Sequence, residues 1–201
     1  MPYETVALKT IEYLAIPSVV GHEKLFLKYL EEDFLNLGLT VTRHEGILEV
    51  NGNHPESAII SAHVDRHGLV SLGDGKYAYA AQYIKEKKYG EENNPSKKIL
   101  DAISDRFEGE TVYAYDPDTG DRLGEGIIRN CDPCMENGDS IFFIDGMEDM
   151  PVNTPIAYGR TAVSDGVILK GQIDNVVSIG VIYALFQNGF QGTALLSCEE
   201  E

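Results

Sequence analysis

Three apolar, strand-like runs in this chain each end in side chains able to bind a metal ion. Ala58 to Ile60 leads to His63 and Asp65, Leu169 leads to Asp174, and Thr193 to Cys198 leads to Glu199, Glu200 and Glu201. Ligands of open α/β sheets gather beyond the C-terminal ends of the strands. A histidine with carboxylates is the donor set that suits zinc, cobalt or manganese. The pattern therefore points to a metallohydrolase built on an α/β sheet. The last cluster closes the sequence, so the chain is expected to carry only part of its site.

Composition narrows the partners. With 201 residues, 43% of them hydrophobic, there is material for one sizeable core or two modest ones. A formal net charge of −17 repels phosphate backbones and anionic lipid, so neither nucleic acid nor a membrane is expected as a partner. No signal-like segment opens the chain, and no apolar run approaches the roughly 20 residues of a bilayer span, which makes the cytoplasm the expected compartment. Three cysteines give no disulfide framework. Cys131 and Cys134 form a CxxC around Asp132 and Pro133. Without a second such pair or matching histidines, a plain turn with two incidental thiols is expected there.

Along the chain, residues 1–66 alternate between helical and strand-like patterns. Tyr3 to Leu14 reads as a helix, Pro17, Ser18 and Gly21 break it, and a second helix starts at Glu23 with Phe26, Tyr29, Leu30, Phe34 and Leu37 at helical spacing before Gly38. Strands are expected at Leu39 to Thr42, Ile47 to Val50 and Ala58 to Ala62, the last apolar enough to be central. From residue 67 to 166 helical periodicity fades, turn pairs such as Asp118-Thr119-Gly120 multiply, and stretches such as Thr111 to Tyr115 alternate. This predicts an inserted small β-barrel or sandwich domain, with Lys85 to Lys98 as an exposed loop. Residues 167–201 return to α/β: a strand from Val167 to Ile173, a helix over Val176 to Phe186 ended by Gly189, and a strand from Thr193 to Cys198. The fold class expected is thus an α/β sheet with flanking helices, shared by the first and third segments, carrying an inserted β-barrel-like domain.

Side chains two apart on a strand share a face, so Asp65 can fix the tautomer of His63 while the other imidazole nitrogen faces a metal. Asp174 serves equally as a helix cap or as a carboxylate bridging two cations. Adjacent glutamates at a strand end point in opposite directions, so one can ligate while its neighbour takes a proton from water.

This order of motifs resembles the co-catalytic metallopeptidases, above all the M42 family of glutamyl, leucyl and tetrahedral aminopeptidases. Pro17-Ser18-Val19-Val20-Gly21-His22-Glu23 is similar to that family's N-terminal loop and helix start, and Ser61-Ala62-His63-Val64-Asp65 to its first metal motif. Gly126-Ile127-Ile128 and Gly171-Gln172-Ile173-Asp174-Asn175 fit its inserted dimerisation domain and bridging-Asp segment. The resemblance implies two divalent ions, zinc or cobalt first and manganese third. His63 would bind one, Asp65 would orient it, Asp174 would bridge the two, Glu200 would be the general base and Glu201 a ligand. A register of Glu199 and Glu200 stays open. The implied reaction removes N-terminal residues from peptides, and the implied partners are a peptide substrate and further copies joined through the inserted domain. Two departures stand out: Arg66 where a Glu commonly follows the His-x-Asp, and Val176 where an Arg commonly lies after the bridging segment. Further ligands are expected beyond Glu201, so the chain alone is expected to turn over little or nothing. An M20-type carboxypeptidase or deacylase, and a non-catalytic self-associating relative, are the competing expectations.

Overall fold

The computed structural model describes residues 2–89, 97–134, 139–159, 162–166 and 168–198. The chain divides into two compact units, the first formed by Met1–Ser18, Glu23–Arg66 and Arg160–Glu200, the second by Val19–His22 and His67–Gly159.

The first unit opens with α1 (Pro2–Leu14) and α2 (Lys24–Asn36). On α2 the spacing of Phe26, Leu27, Leu30 and Phe34 turns one stripe inward, and all four are buried. Gly38, at φ 78°, supplies the left-handed residue that ends the helix. The hairpin β1 (Thr40–His44) and β2 (Ile47–Asn51) follows, then β3 (Ile59–His63). Strand β3 is not central: it lies at the edge of the described sheet, and Ile59 is 69% exposed. An apolar run is compatible with a central strand but fixes neither the burial of its faces nor its place in the sheet.

The second unit is a closed barrel. Its strands are β4 (Leu69–Gly73), β5 (Lys76–Tyr79), β6 (Thr111–Tyr115), β7 (Arg122–Cys134), β8 (Asp139–Asp145) and β9 (Pro155–Tyr158), joined in the order β4-β5-β8-β7-β6-β9 with every pairing antiparallel. Closure leaves no free edge. Leu69, Tyr77, Val112, Ile128, Phe142 and Ile156 fill the interior. Gly73, Asp74 and Gly75 all take positive φ in the tight β4–β5 turn, the conformation their composition predicts. Two expectations are corrected here. The stretch read as a loop, Lys85 to Lys98, holds the end of α3 (Ala80–Tyr89) and the first two residues of α4 (Lys97–Phe107), and its residues 90–96 lie outside the described residues; its run of Lys, Glu and Asn masks the helix ends, and the apolar spacing of α4 at Ile99, Leu100, Ile103 and Phe107 falls beyond it. The CxxC backbone lies within β7, paired to β8, and is not a turn.

The chain re-enters the first unit through a two-residue hairpin, β10 (Val163–Ser164) with β11 (Leu169–Lys170), then α5 (Val176–Gln187) and β12 (Thr193–Ser197). Of the strand expected over Val167 to Ile173, Val167 lies outside the described residues and only Leu169–Lys170 of the described ones is strand. Strand β12 completes a sheet of order β1-β2-β12-β3, antiparallel to β2 and parallel to β3. The core of this unit gathers Tyr13, Phe26, Leu30, Phe34, Leu48, Val50, Ile179, Tyr183 and Leu196. Among the described residues no helix is long and apolar enough to cross a membrane.

Candidate metal centre

Parallel pairing sets Ser197 of β12 opposite His63 of β3, so the C-terminal ends of two strands coincide. The amide of Val64 donates to the carbonyl of Ser197 at 2.8 Å, carrying the ladder one step past His63. The His63 side chain, 10% exposed, is held from two sides. Its Nδ1 lies 3.1 Å from the carbonyl oxygen of Asp65 and 3.4 Å from Asp65 Oδ1, a carboxylate that is fully buried. Its Nε2 lies 3.4 Å from Oδ1 of Asp174, whose side chain is 70% exposed.

These contacts define a tautomer. With the Asp65 carbonyl accepting from Nδ1–H, Nε2 presents a lone pair on the Asp174 side. The orienting partner at hydrogen-bond distance is therefore the main chain of Asp65, with its carboxylate behind. Asp174 is not the cap residue: Asn175 occupies the cap position of α5, and its side chain makes no capping hydrogen bond among the described residues. The Asp174–Asn175 peptide is cis.

The separation of Nε2 and Oδ1 bears on whether a metal fits. At 3.4 Å it is longer than a good N–H···O bond. Two donors about 2.0–2.2 Å from one zinc ion, at a tetrahedral angle, stand about 3.4 Å apart. Imidazole nitrogen and carboxylate oxygen are thus spaced as two ligands of one cation, and the residues fit the group. Among the described residues no cluster of three or more His, Cys, Asp or Glu completes a metal cage. Glu199, Glu200 and Glu201 lie outside the described residues.

Arg66, noted in the sequence only as a departure, has partners here that the sequence does not announce. Arg66 is 9% exposed and reaches back to the segment after α1, donating from Nε to Ser18 Oγ at 2.8 Å, from Nη1 to the carbonyl of Leu14 at 3.3 Å, and from Nη2 to the carbonyl of Ile16. Ser18 Oγ in turn donates to the carbonyl of Val64 at 2.8 Å, and the Arg66 amide donates to the carbonyl of Ser18 at 2.9 Å.

An α/β sheet with flanking helices, interrupted by a six-stranded closed barrel, defines an aminopeptidase-like fold. No family model and no curated protein sequence matches the chain. Among solved structures it is similar to a TET aminopeptidase of the marine sediment archaeon Thaumarchaeota archaeon SCGC AB-539-E09, with TM-score 0.64 and 15% identity over 100% of this chain and 59% of that one. It is similar to an endoglucanase of Thermotoga maritima, with TM-score 0.64 and 16% identity over 94% of this chain and 58% of that one. The Pyrococcus horikoshii TET1 peptidase, which assembles into a tetrahedron or a large octahedral shell, matches with TM-score 0.57 and 16% identity over 95% of this chain and 61% of that one. The chain spans about three fifths of the length of these structures. The architecture expected from the M42 resemblance is the architecture found.

Proposed function

We propose that this chain belongs to a metal-dependent aminopeptidase of the M42 type. The observation that carries the reading is the spacing of His63 Nε2 and Asp174 Oδ1 at the end of β3, with Nδ1 tied back to Asp65. Divalent cations bound there would supply Lewis acidity toward a peptide carbonyl and an acidified water. His63 would hold one through Nε2, and the Asp174 carboxylate, with two oxygens, has the valence to serve two. Asp65 keeps the imidazole in the tautomer that binds. Glu200 is the proposed base, accepting the proton of the attacking water and returning it to the leaving amine, with Glu201 as a further ligand. A free peptide α-amino group is the substrate feature proposed for recognition.

Zinc or cobalt titrated into the purified chain, followed by calorimetry and metal analysis after dialysis, tests the site. Binding lost in His63→Ala and weakened in Asp174→Asn supports it, while equal uptake by all three refutes it. Peptides with free and acetylated N-termini, offered to the full-length gene product, separate an aminopeptidase from an M20-type deacylase. Self-association through the barrel unit is part of the same proposal, supported by the shells of the Pyrococcus protein. A monomer in light scattering would remove it.

A further inference from the structure

We infer that Arg66 and Ser18 form a clamp that positions the imidazole of His63 for metal binding. The inference rests on the metal-centre reading and deepens it. His63 closes β3, and the two residues after it leave the sheet, so nothing in the ladder beyond Val64 dictates where the Asp65 carbonyl points. That carbonyl accepts from His63 Nδ1, and its direction decides which imidazole nitrogen carries the proton. The peptide groups on both sides of Asp65 are tied to one residue. Ser18 takes the Val64 carbonyl through Oγ and the Arg66 amide through its own carbonyl, at 2.8 and 2.9 Å. The Asp65 main chain is thus fixed at both ends.

Ser18 itself sits in the segment that follows α1, and the Arg66 guanidinium holds that segment in place. Its planar fork reaches the carbonyls of Leu14 and Ile16 and the Ser18 hydroxyl together. A guanidinium is suited to this because it presents five donors in fixed geometry. A lysine has one ammonium and cannot span three separated acceptors. The Arg66 carbon lies 5.7 Å from the centre of the Phe26 ring, a contact that also fixes the side chain. Arg66 is therefore a positioning residue. It touches no reacting atom and acts through Ser18 and the Asp65 main chain on His63.

The test has a readout that needs no metal. Long-range proton–nitrogen NMR of the metal-free chain reports the tautomer of His63. The wild type is expected to show a single Nδ1–H form. Arg66→Gln and Ser18→Ala are expected to show a mixture with Nε2–H, while Arg66→Lys is expected to be intermediate. Cobalt titration of the same proteins is expected to give a dissociation constant ten- to a hundredfold weaker in Arg66→Gln, the range seen when support behind a ligand is removed, with an altered visible spectrum. If Arg66→Gln does not fold, Ser18→Ala decides, since it removes one hydroxyl and leaves the guanidinium its two carbonyl acceptors. An unchanged tautomer and unchanged cobalt affinity in folded variants would overturn the clamp. Failure of the full-length gene product to bind cobalt, with a His63 tautomer that still shifts in Arg66→Gln, would overturn the metal-centre reading and leave the clamp standing.

Discussion

Lys9 and Asp33 form an ion pair between α1 and α2 whose worth can be bracketed. Lys9 Nζ lies 2.9 and 2.8 Å from the two oxygens of Asp33, and the side chains are only 15% and 14% exposed. Tyr13 donates to the same carboxylate at 2.6 Å, and Nζ stands 4.4 Å over the Tyr183 ring of α5. An exposed pair contributes about 0.2–1 kcal/mol, and breaking a fully buried one costs about 3–5 kcal/mol. This pair lies between, and Glu12 at 3.1 Å still partners the ammonium when Asp33 is lost. Asp33→Asn is therefore expected to cost about 2 kcal/mol, with a coupling energy to Lys9→Met of about 1.5–2 kcal/mol, as for a hydrogen bond between charged groups. The assay is a double-mutant cycle by urea denaturation at neutral pH. A coupling below about 0.5 kcal/mol would refute the assignment, placing the pair with solvated surface pairs. The pH dependence carries its own sign. Burial pulls the Lys9 ammonium down, but its bonds to Asp33 and Glu12 outweigh this and raise it above 10.5. The pair's contribution is then present below 10.5 and is lost as pH rises through the folded value.

Other perturbations have equally definite outcomes. His22 is 8% exposed, and among the described residues its Nε2 has no partner; burial depresses its basicity below 6.5, so the unfolded chain gains the proton first. Stability should fall as pH drops below 6.5, and urea midpoints measured from pH 7.5 to 5 should lose part of that slope in His22→Phe. A Cβ on Gly180 would stand 2.7 Å from Thr10 Oγ1 and 3.1 Å from the Val6 carbonyl, where α5 meets α1. Gly180→Ala should therefore destabilise by up to about 2 kcal/mol despite the better helix former, since overpacking costs about 1–3 and propensity returns about 1; a rise in melting temperature would contradict the close approach. Tyr158 is 8% exposed, and among the described residues its hydroxyl has no partner. Tyr158→Phe should be neutral or stabilise by about 1 kcal/mol, and a thermal-shift loss would reveal a hydrogen bond at that hydroxyl.

Which elements the sequence announces follows from how their burial is organised. Helices α1, α2 and α5 are legible because the first unit buries one face of α1 and α2 and most of α5, leaving apolar stripes or runs of helical length. Helices α3 and α4 are not, since the charged run Lys85 to Lys98 overlaps the end of one and the start of the other and reads as solvated chain, although Ile99, Leu100, Ile103 and Phe107 of α4 do stand at helical spacing. The barrel is legible as β through its turns: Asp116 Oδ1 accepts from the amides of Asp118 and Thr119 at 2.9 Å each, and Gly120 takes φ 79°. Its six-stranded closure is not, because closure depends on β4 meeting β9 far along the chain. At the metal centre, period two places His63 and Asp65 together, whereas the atom that accepts from Nδ1 is a main-chain oxygen that no side-chain pattern encodes. Arg66 stands out in sequence only as a departure, because its partner Ser18 is 48 residues away.

The sheet and the clamp then have separable tasks. A one-residue slip in a strand turns every side chain to the opposite face, so a site at strand ends needs its register fixed more firmly than one ladder provides. Ser197 pairs with Ile47 on one side and His63 on the other, and both ladders run one step further, through Cys198 to the Gly46 carbonyl and Val64 to the Ser197 carbonyl, each at 2.8 Å. Strand β12 is thereby fixed between two neighbours, and His63 is set at one height against it. What the ladders leave free is the direction of the main chain after Val64, and Ser18 and Arg66 restrain that. Loss of the clamp should accordingly disturb the imidazole without shifting β3, so slow amide exchange of Ile60 and Ala62 should persist in Arg66→Gln while the His63 ring signal changes. Simultaneous loss of protection at both amides would mean that the clamp supports the strand itself, and the division between register and direction would fall.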